Sequence, residues 1–409
     1  MKRWVLIFSW SLYDLANQFF AINVVSLYFV RWLTLEKGAP EILYSLSFGI
    51  SIFAVAALAP LLGLVSDMTG RRKPFLTWLT MLCIVFTMLL GAHQSVLLGL
   101  LFFAVANFGC QLAVVFYNAL LVNVAPKNRI GMVSGFGRML GYSGAVIALY
   151  LIKPVVARGG FQAAFVPTGL LFLLFSLPCL IFVKDTRPQG AIDPASFFRK
   201  HTLVSVFRRL REDFIGFRSI PHVPDFLKAS FLGLCVVNVL ILFMSVYVTR
   251  VFRLDETQLI NLFAFSTFFA IFGSFICGYI SDYAGIRPGF IALFILWGIS
   301  LYLGSVLRQG AFLSWIVGPL VGFSLGATWV VLRAFALKLV PGEKIGALFG
   351  LFNLIGSLSA AAGALCWGAL LLLLSPLGDI GYRIALASLN IFLVFAVVFA
   401  LRIREGKRQ

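Results

Sequence analysis

The stretch from Gly63 to Pro74 reads GLVSDMTGRRKP, and the stretch from Gly278 to Pro288 reads GYISDYAGIRP. Each places Gly, Asp and Gly at the same spacing, followed by arginine, in a short loop between two long apolar runs. In a membrane the first glycine lets two helices approach closely, and the second permits a tight turn. The aspartate can accept hydrogen bonds from the free amides at the start of a neighbouring helix.

We predict that each loop is a conformational latch. The alternative, that such a loop only turns the chain, is disfavoured because two copies occupy equivalent places in the two halves. The predicted latch residues are Gly63, Asp67, Gly70, Arg71, Gly278, Asp282, Gly285 and Arg287.

Around these loops the chain is too apolar for a water-soluble protein. Of its 409 residues, 61% are apolar and 12% are charged, whereas about a quarter of a soluble domain is charged. A helix needs about 20 apolar residues to cross a bilayer, and these runs lack the alternation of barrel strands. We therefore predict an all-α polytopic membrane protein with twelve transmembrane helices. The predicted spans are Trp4–Val30, Ile42–Val65, Phe75–Ala92, Val96–Ala125, Ile130–Ile152, Phe161–Val183, Phe226–Val248, Gln258–Ile280, Phe290–Leu307, Phe312–Val340, Gly346–Leu374 and Tyr382–Leu401.

The net charge of +18 would suggest nucleic-acid binding, but the basic residues are concentrated in the short loops between the runs. Such residues orient a membrane protein, and their distribution predicts that both termini are cytoplasmic. The longest loop, residues 184–225, divides the spans into an N-terminal bundle (1–183) and a C-terminal bundle (226–409). Within this linker, Ser196–Phe217 has basic and apolar residues at helical spacing. This pattern predicts either an amphipathic helix on the inner leaflet or a solvated linker helix.

The duplicated loop, the twelve spans and the long central connector resemble the major facilitator superfamily. That resemblance covers the whole chain. It implies two six-helix bundles around a central cavity, with transport by alternating access. It also implies that the first and fourth spans of each bundle line the cavity.

A narrower resemblance rests on YDLANQFF (13–20), FYNALL (116–121), SGFGRMLGYSG (134–144) and Pro341 with LFGLF (348–352). These motifs are similar to those of the autophagy-related vacuolar amino-acid effluxers and their bacterial relatives. The second half departs from that family's pattern, with Leu234-Cys235 in place of an Asn-Asp pair and Ser357 in place of a lysine. The resemblance implies an exported small solute such as an amino acid.

Charged side chains inside spans are costly and are therefore candidates for function. Asp14, Arg138 and Arg333 are the clearest cases, at depths of roughly 10 to 15 Å from the predicted cytoplasmic ends. We predict an ion pair between Asp14 and Arg138, either as a structural staple or as part of the binding site. Proton coupling would have to run through Asp14, and the sequence leaves coupled transport and simple facilitation open.

Neutral polar residues extend this candidate site. Asn107, Gln111 and Asn118 fall within about 40° of one another on a helix, and Asn17 shares a face with Asp14. These stripes either line the cavity or hold helices together. The predicted substrate-binding residues are Asp14, Asn17, Asn107, Gln111, Asn118, Arg138 and Arg333.

A polar, partly cationic site favours a small organic solute with an anionic group, such as an amino acid or similar carboxylate. The alternative within transport is a lipid or lysolipid flippase of the same fold, which the apolar second half would suit. A membrane-embedded enzyme would need a nucleophile–base or metal set inside the membrane, which Asp14 and two arginines do not supply, so we predict that the chain is not an enzyme. A receptor or scaffold would have no use for two latches. The six cysteines fall in different spans, so we expect apolar packing and neither cofactor nor metal site. We further expect a monomer in a bacterial inner membrane, or in a vacuolar membrane if the chain is eukaryotic.

Overall fold

The structure is a computed structural model that describes residues 3–69, 71–125, 130–185, 216, 220–283, 286–307, 311–339 and 345–403. Within these ranges every regular element is a helix, and twelve helices are long and apolar enough to cross a membrane. The predicted all-α fold with twelve spans is confirmed, whereas the orientation of the termini stays a prediction. The helices are α1 (Arg3–Glu36), α2 (Glu41–Thr69), α3 (Lys73–Leu90), α4 (Val96–Val124), α5 (Ile130–Gly159), α6 (Phe161–Phe182), α7 (Val223–Val251), α8 (Glu256–Tyr283), α9 (Ile286–Val306), α10 (Ala311–Leu339), α11 (Ile345–Leu374) and α12 (Asp379–Arg402).

The first span is longer than predicted. The predicted span ends at Val30, before the charge of Arg31, but the chain stays helical to Glu36 through two π-helical segments, Phe20–Tyr28 and Trp32–Glu36. Arg31 is only 4% exposed, and its guanidinium lies 4.4 Å from the centre of the Phe161 ring. A cation on an aromatic face can remain inside the protein, so the charge does not end the helix.

The chain forms two compact units, residues 1–39 with 46–209 and residues 40–45 with 210–409. The first turn of α2 therefore belongs to the second unit, and the remainder of α2 to the first. The linker segment Ser196–Phe217 lies outside the described residues except for Gly216, so its predicted amphipathic helix and the predicted bundle boundaries stay predictions.

The first helix of each half is the most buried one. About 78% of the apolar window of α1 and 72% of that of α7 are buried, compared with at most 50% for the other spans. A helix that is covered on most sides has little lipid-facing surface, so a polar side chain on it faces protein. This placement bears directly on Asp14, which lies on α1.

Two helices of the second unit cross at glycines. A Cβ built on Gly322 of α10 would lie 2.0 Å from the Ser266 carbonyl oxygen of α8, and one on Gly326 would lie 1.8 Å from that of Ala270. Gly273 of α8 faces α10 in the same way, 2.2 Å from the carbonyl oxygen of Phe323. Small residues permit this close backbone approach, which is a usual basis of helix association in membranes.

Candidate functional site

Asp14 lies inside the first unit against the glycine face of α5. Asp14 is only 7% exposed. A Cβ on Gly137 would lie 3.0 Å from the Asp14 Oδ2 atom, and one on Gly141 would lie 3.7 Å from the Asp14 Cβ atom. The glycines of the SGFGRMLGYSG motif therefore leave the space that the carboxylate occupies.

Aromatic side chains fix the helix around this carboxylate. The rings of Trp10 and Tyr13 each stack on the ring of Tyr117 in α4, with centroids 4.6 and 4.7 Å apart. The Trp10 indole N–H donates to the Tyr117 carbonyl oxygen at 3.1 Å, and the hydroxyls of Tyr13 and Thr80 lie 2.7 Å apart. Stacking and buried hydrogen bonds together hold α1, α3 and α4 in one register.

The predicted ion pair between Asp14 and Arg138 is not formed in this structure. Both residues are described, but their charged atoms do not come within the 4 Å of an ion pair, and Arg138 is exposed. The physical reason is helical rotation. Gly137 faces Asp14, and the next residue on an α-helix is turned by 100°.

Arg138 nevertheless does not face the lipid side of α5. Ala145 and Leu149 lie within about 20° of it around the helix, and both are buried. Ile147, which lies on the opposite face, is 39% exposed. This face of α5 is thus covered by other helices at Ala145 and Leu149, whereas Arg138 itself is accessible.

The polar stripe of α4 divides into a buried part and an accessible part. Asn107 is fully buried and donates from Nδ2 to the Ser51 hydroxyl of α2 at 2.7 Å, so it links two helices. Gln111 is half-buried and Asn118 is exposed. Asn17 of α1 is half-buried, and its Oδ1 atom accepts a hydrogen bond from the Cys110 thiol at 2.9 Å. The accessible part of the stripe is therefore its end toward the C-terminus of α4.

Much of the predicted latch cannot be placed. Gly70 and Gly285 lie outside the described residues, as do the surroundings of Asp67, Gly278, Asp282 and Arg333. Gly63 has open space around its Cα atom, and Arg71 is exposed.

Asp185, at the end of α6, was missed by the sequence analysis. Its Oδ1 atom accepts hydrogen bonds from the backbone amides of Arg72 at 3.1 Å and Lys73 at 3.0 Å. It thus satisfies free amides at the start of α3, which is the type of contact that the sequence analysis assigned to Asp67.

The two units place a basic side chain on the end of their last helix in the same way. In the first unit Lys73 Nζ donates to the Ile181 carbonyl oxygen at 3.1 Å. In the second unit Arg287 Nη2 donates to the Leu401 carbonyl oxygen at 2.7 Å. Each acceptor is the penultimate residue of its helix, where carbonyl groups lack intrahelical partners and the helix dipole is negative.

A second buried acid was also missed. Glu41, in the first turn of α2, is 8% exposed and accepts a hydrogen bond from the hydroxyl of Tyr382. The guanidinium of Arg250 lies 5.5 Å from the centre of the Tyr382 ring. All three residues belong to the second unit. The sequence did not indicate that Glu41 is buried, because Glu41 stands just before the apolar run that begins at Ile42.

Among the described residues, no group of three or more His, Cys, Asp or Glu side chains could hold a metal ion. The six cysteines are free thiols in the structure.

Comparison with known proteins gives concordant matches. The sequence matches the family model of the Major Facilitator Superfamily at residues 15–364 and 226–408. It is 28% identical to an uncharacterised MFS-type transporter, YxiO of Bacillus subtilis, with 87% of this chain and 86% of that protein covered. It is 23% identical to autophagy-related protein 22 of Vanderwaltozyma polyspora, with 68% and 58% covered.

A solved structure shares the fold at low sequence identity. It is a bacterial homologue of the human lysosomal transporter Spinster in an inward-facing, unoccupied conformation, with a TM-score of 0.76. The sequence identity is 16%, and 97% of this chain and 96% of that chain are covered.

Proposed function

We propose a substrate class and a direction for this chain, which belongs to the major facilitator superfamily and is a multi-pass membrane transporter of that family. The proposed substrate is a small organic solute with a carboxylate, such as an amino acid, and the proposed direction is export by alternating access. The direction rests on the similarity to the autophagy-related effluxers. We further propose that the chain is a monomer in a bacterial plasma membrane.

The exposed guanidinium of Arg138 is the observation that carries this proposal. It lies within a span, away from the lipid-facing side of α5, and no described side chain forms an ion pair with it. An arginine can bind a carboxylate through two parallel hydrogen bonds. A charge in a span is costly, and a solute carboxylate would repay that cost when it binds.

Asp14 and the accessible amides supply the complementary groups. The carboxylate of Asp14 lies beside Gly137, the residue that precedes Arg138, so an acid and a base flank the same turn of α5. An α-amino acid carries an ammonium and a carboxylate group and would use both. Gln111 and Asn118 add hydrogen-bond donors and acceptors on α4, and we include Arg333 of α10 as a further cation.

Transport into proteoliposomes tests the proposal. Purified protein would be supplied with amino acids, organic acids and lysolipids, with and without a pH gradient. We expect uptake of a carboxylated solute by the wild-type protein and at least a tenfold loss with Arg138→Gln. Arg158→Gln, an exposed arginine at the other end of α5, is the matched control and should transport normally.

Three outcomes would separate the alternatives. Equal transport by Arg138→Gln and wild type would refute the assigned site. Movement of lysolipid without any amino or organic acid would favour the flippase. If Asp14→Asn abolishes stimulation by a pH gradient but retains downhill exchange, Asp14 carries the coupling proton.

We also propose that the duplicated loops act as latches, with Asp67 and Asp282 as hydrogen-bond acceptors and Arg71 and Arg287 as basic partners. Arg71→Ala should then slow the conformational cycle while the selectivity among solutes stays the same. A changed ranking of solutes would count against a latch, because a latch distant from the bound solute has no means to discriminate among solutes.

A further inference from the structure

Three basic side chains meet at one end of the second unit, where α7, α9 and α12 pack together. Lys228 Nζ lies 5.3 Å from the centre of the Phe399 ring, and the guanidinium of Arg402 lies 5.4 Å from the same centre. Two residues further along α12 from Phe399, the Leu401 carbonyl oxygen accepts a hydrogen bond from Arg287 at 2.7 Å. We call Lys228, Arg287 and Arg402 the basic cluster.

Lys228 and Arg402 both contact the neutral phenyl ring of Phe399. Asp225 lies one turn before Lys228 on α7, but the two described side chains form no ion pair within 4 Å. Lys228 and Arg402 are exposed. Like charges held around one ring repel each other, and a bound anion would remove that repulsion.

An apolar depression continues from this cluster along α9. It has a volume of about 460 Å³ and is lined by Arg287, Pro288, Ile291, Ala292 and Ile295. Arg287 stands at one end, and Ile295 lies eight residues further on, a distance of about 12 Å along a helix. Ile295 is 52% exposed. A cation followed by an apolar groove matches a ligand with an anionic head and a hydrocarbon chain.

We propose that the basic cluster binds an anionic phospholipid of the surrounding bilayer. The lipid phosphate lies among Lys228, Arg287 and Arg402, and an acyl chain lies along the groove of α9. The cluster is at the end of the helices predicted to be cytoplasmic, and basic pockets between helices on that side suit anionic head groups. None of these three residues belongs to the proposed substrate-binding set.

Lipid retention by the full chain tests this proposal. Purified protein in mild detergent would be mixed with phosphatidylglycerol, cardiolipin or phosphatidylcholine at equal concentrations, and bound lipid counted by native mass spectrometry. We expect the wild-type protein to retain phosphatidylglycerol or cardiolipin at least tenfold more often than phosphatidylcholine. We expect Lys228→Gln, Arg287→Gln and Arg402→Gln together to reduce that preference to near unity.

The control variant removes the same number of positive charges elsewhere, through Lys37→Gln, Lys153→Gln and Arg158→Gln, and should keep the preference. If the triple variant of the cluster does not fold, Lys228→Gln and Arg402→Gln are measured singly, because both side chains are exposed. Each should weaken retention several-fold.

Three results would overturn the proposal. The first is equal retention of anionic and zwitterionic lipid by the wild-type protein. The second is an unchanged preference in the variants of the cluster. The third is binding of inorganic phosphate without any preference for anionic lipid, which would show that the site takes a free anion.

Discussion

Gly326→Ala tests whether the crossing of α8 and α10 depends on the absence of a side chain. The added methyl group would lie 1.8 Å from the Ala270 carbonyl oxygen and 2.7 Å from its carbonyl carbon. Ordinary contacts of a Cβ are 3.4 to 4 Å. Because the obstructing atoms are backbone, no side chain can rotate away, and the two helices must separate by more than an ångström.

The expected magnitude follows from two opposing terms. Overpacking of this kind costs about 1 to 3 kcal/mol, and an obstruction by backbone should fall near the upper limit. Replacing glycine by alanine inside a helix returns about 1 kcal/mol. The net loss is about 2 kcal/mol, which corresponds to a decrease of about 4 to 8 °C in melting temperature for a unit of this size.

The melting temperature would be measured in detergent by intrinsic tryptophan fluorescence, with size-exclusion chromatography after heating as a second readout. Gly356→Ala on α11 is the matched control, because its added Cβ would meet no atom within 4 Å. We expect that control to melt at or slightly above the wild-type temperature. If Gly326→Ala melts as high as Gly356→Ala, the close crossing does not contribute as argued.

Three further predictions concern the two units separately. Gly137→Ala would place a Cβ 2.8 Å from the Trp10 ring and 3.0 Å from the Asp14 carboxylate, so we expect the melting temperature to fall and transport to fall further; a loss of transport no larger than the loss of folded protein would show a purely structural role. Asp185→Ala should cost about 1 kcal/mol because two amides at the start of α3 lose their acceptor, with Asp185→Asn intermediate in the same melting assay. Glu41→Ala and Tyr382→Phe should show a coupling of about 1.5 to 3 kcal/mol in a double-mutant cycle, as expected for a buried hydrogen bond to a carboxylate, whereas additive losses would contradict that bond.

The sequence predicted the number and type of the helices because a bilayer demands long apolar runs, and those runs are plain in the chain. It did not predict the π-helical segments of α1. Residues 20–36 contain neither proline nor glycine, so no residue signals the change of helix type. The predicted end of the first span was wrong because the run of apolar residues stops at Arg31. In the folded structure the Arg31 guanidinium lies on the ring of Phe161, a contact between residues distant in sequence.

The sequence predicted the levels of Asp14 and Arg138 along their helices, but not which face of α5 is turned toward Asp14. Rise per residue places Asp14 and Arg138 at similar levels, and the helices that carry them do pack together. One residue nevertheless turns a helix by 100°, and Gly137 rather than Arg138 faces Asp14. The α4 stripe shows a related limit, because angular spacing identifies a common face but not which part of that face a neighbouring helix covers. Asn107 is covered by α2, whereas Asn118 is accessible.

The duplicated loops show how contact can correct an alignment made from sequence alone. Matching the two motifs at their aspartates pairs Arg287 with Arg72, whereas the predicted latch cations, Arg71 and Arg287, are the first arginine of each loop. In the structure the residue equivalent to Arg287 is Lys73, because each donates a hydrogen bond to the penultimate carbonyl of the last helix in its unit. Lys73 and Arg287 each directly precede a proline, and the second loop is one residue shorter than the first. Equivalent cations in the two units are therefore found by their position before the proline. Proline suits the first turn of a helix, and it thereby places the preceding cation at the start of α3 or α9, beside the free carbonyls of the last helix.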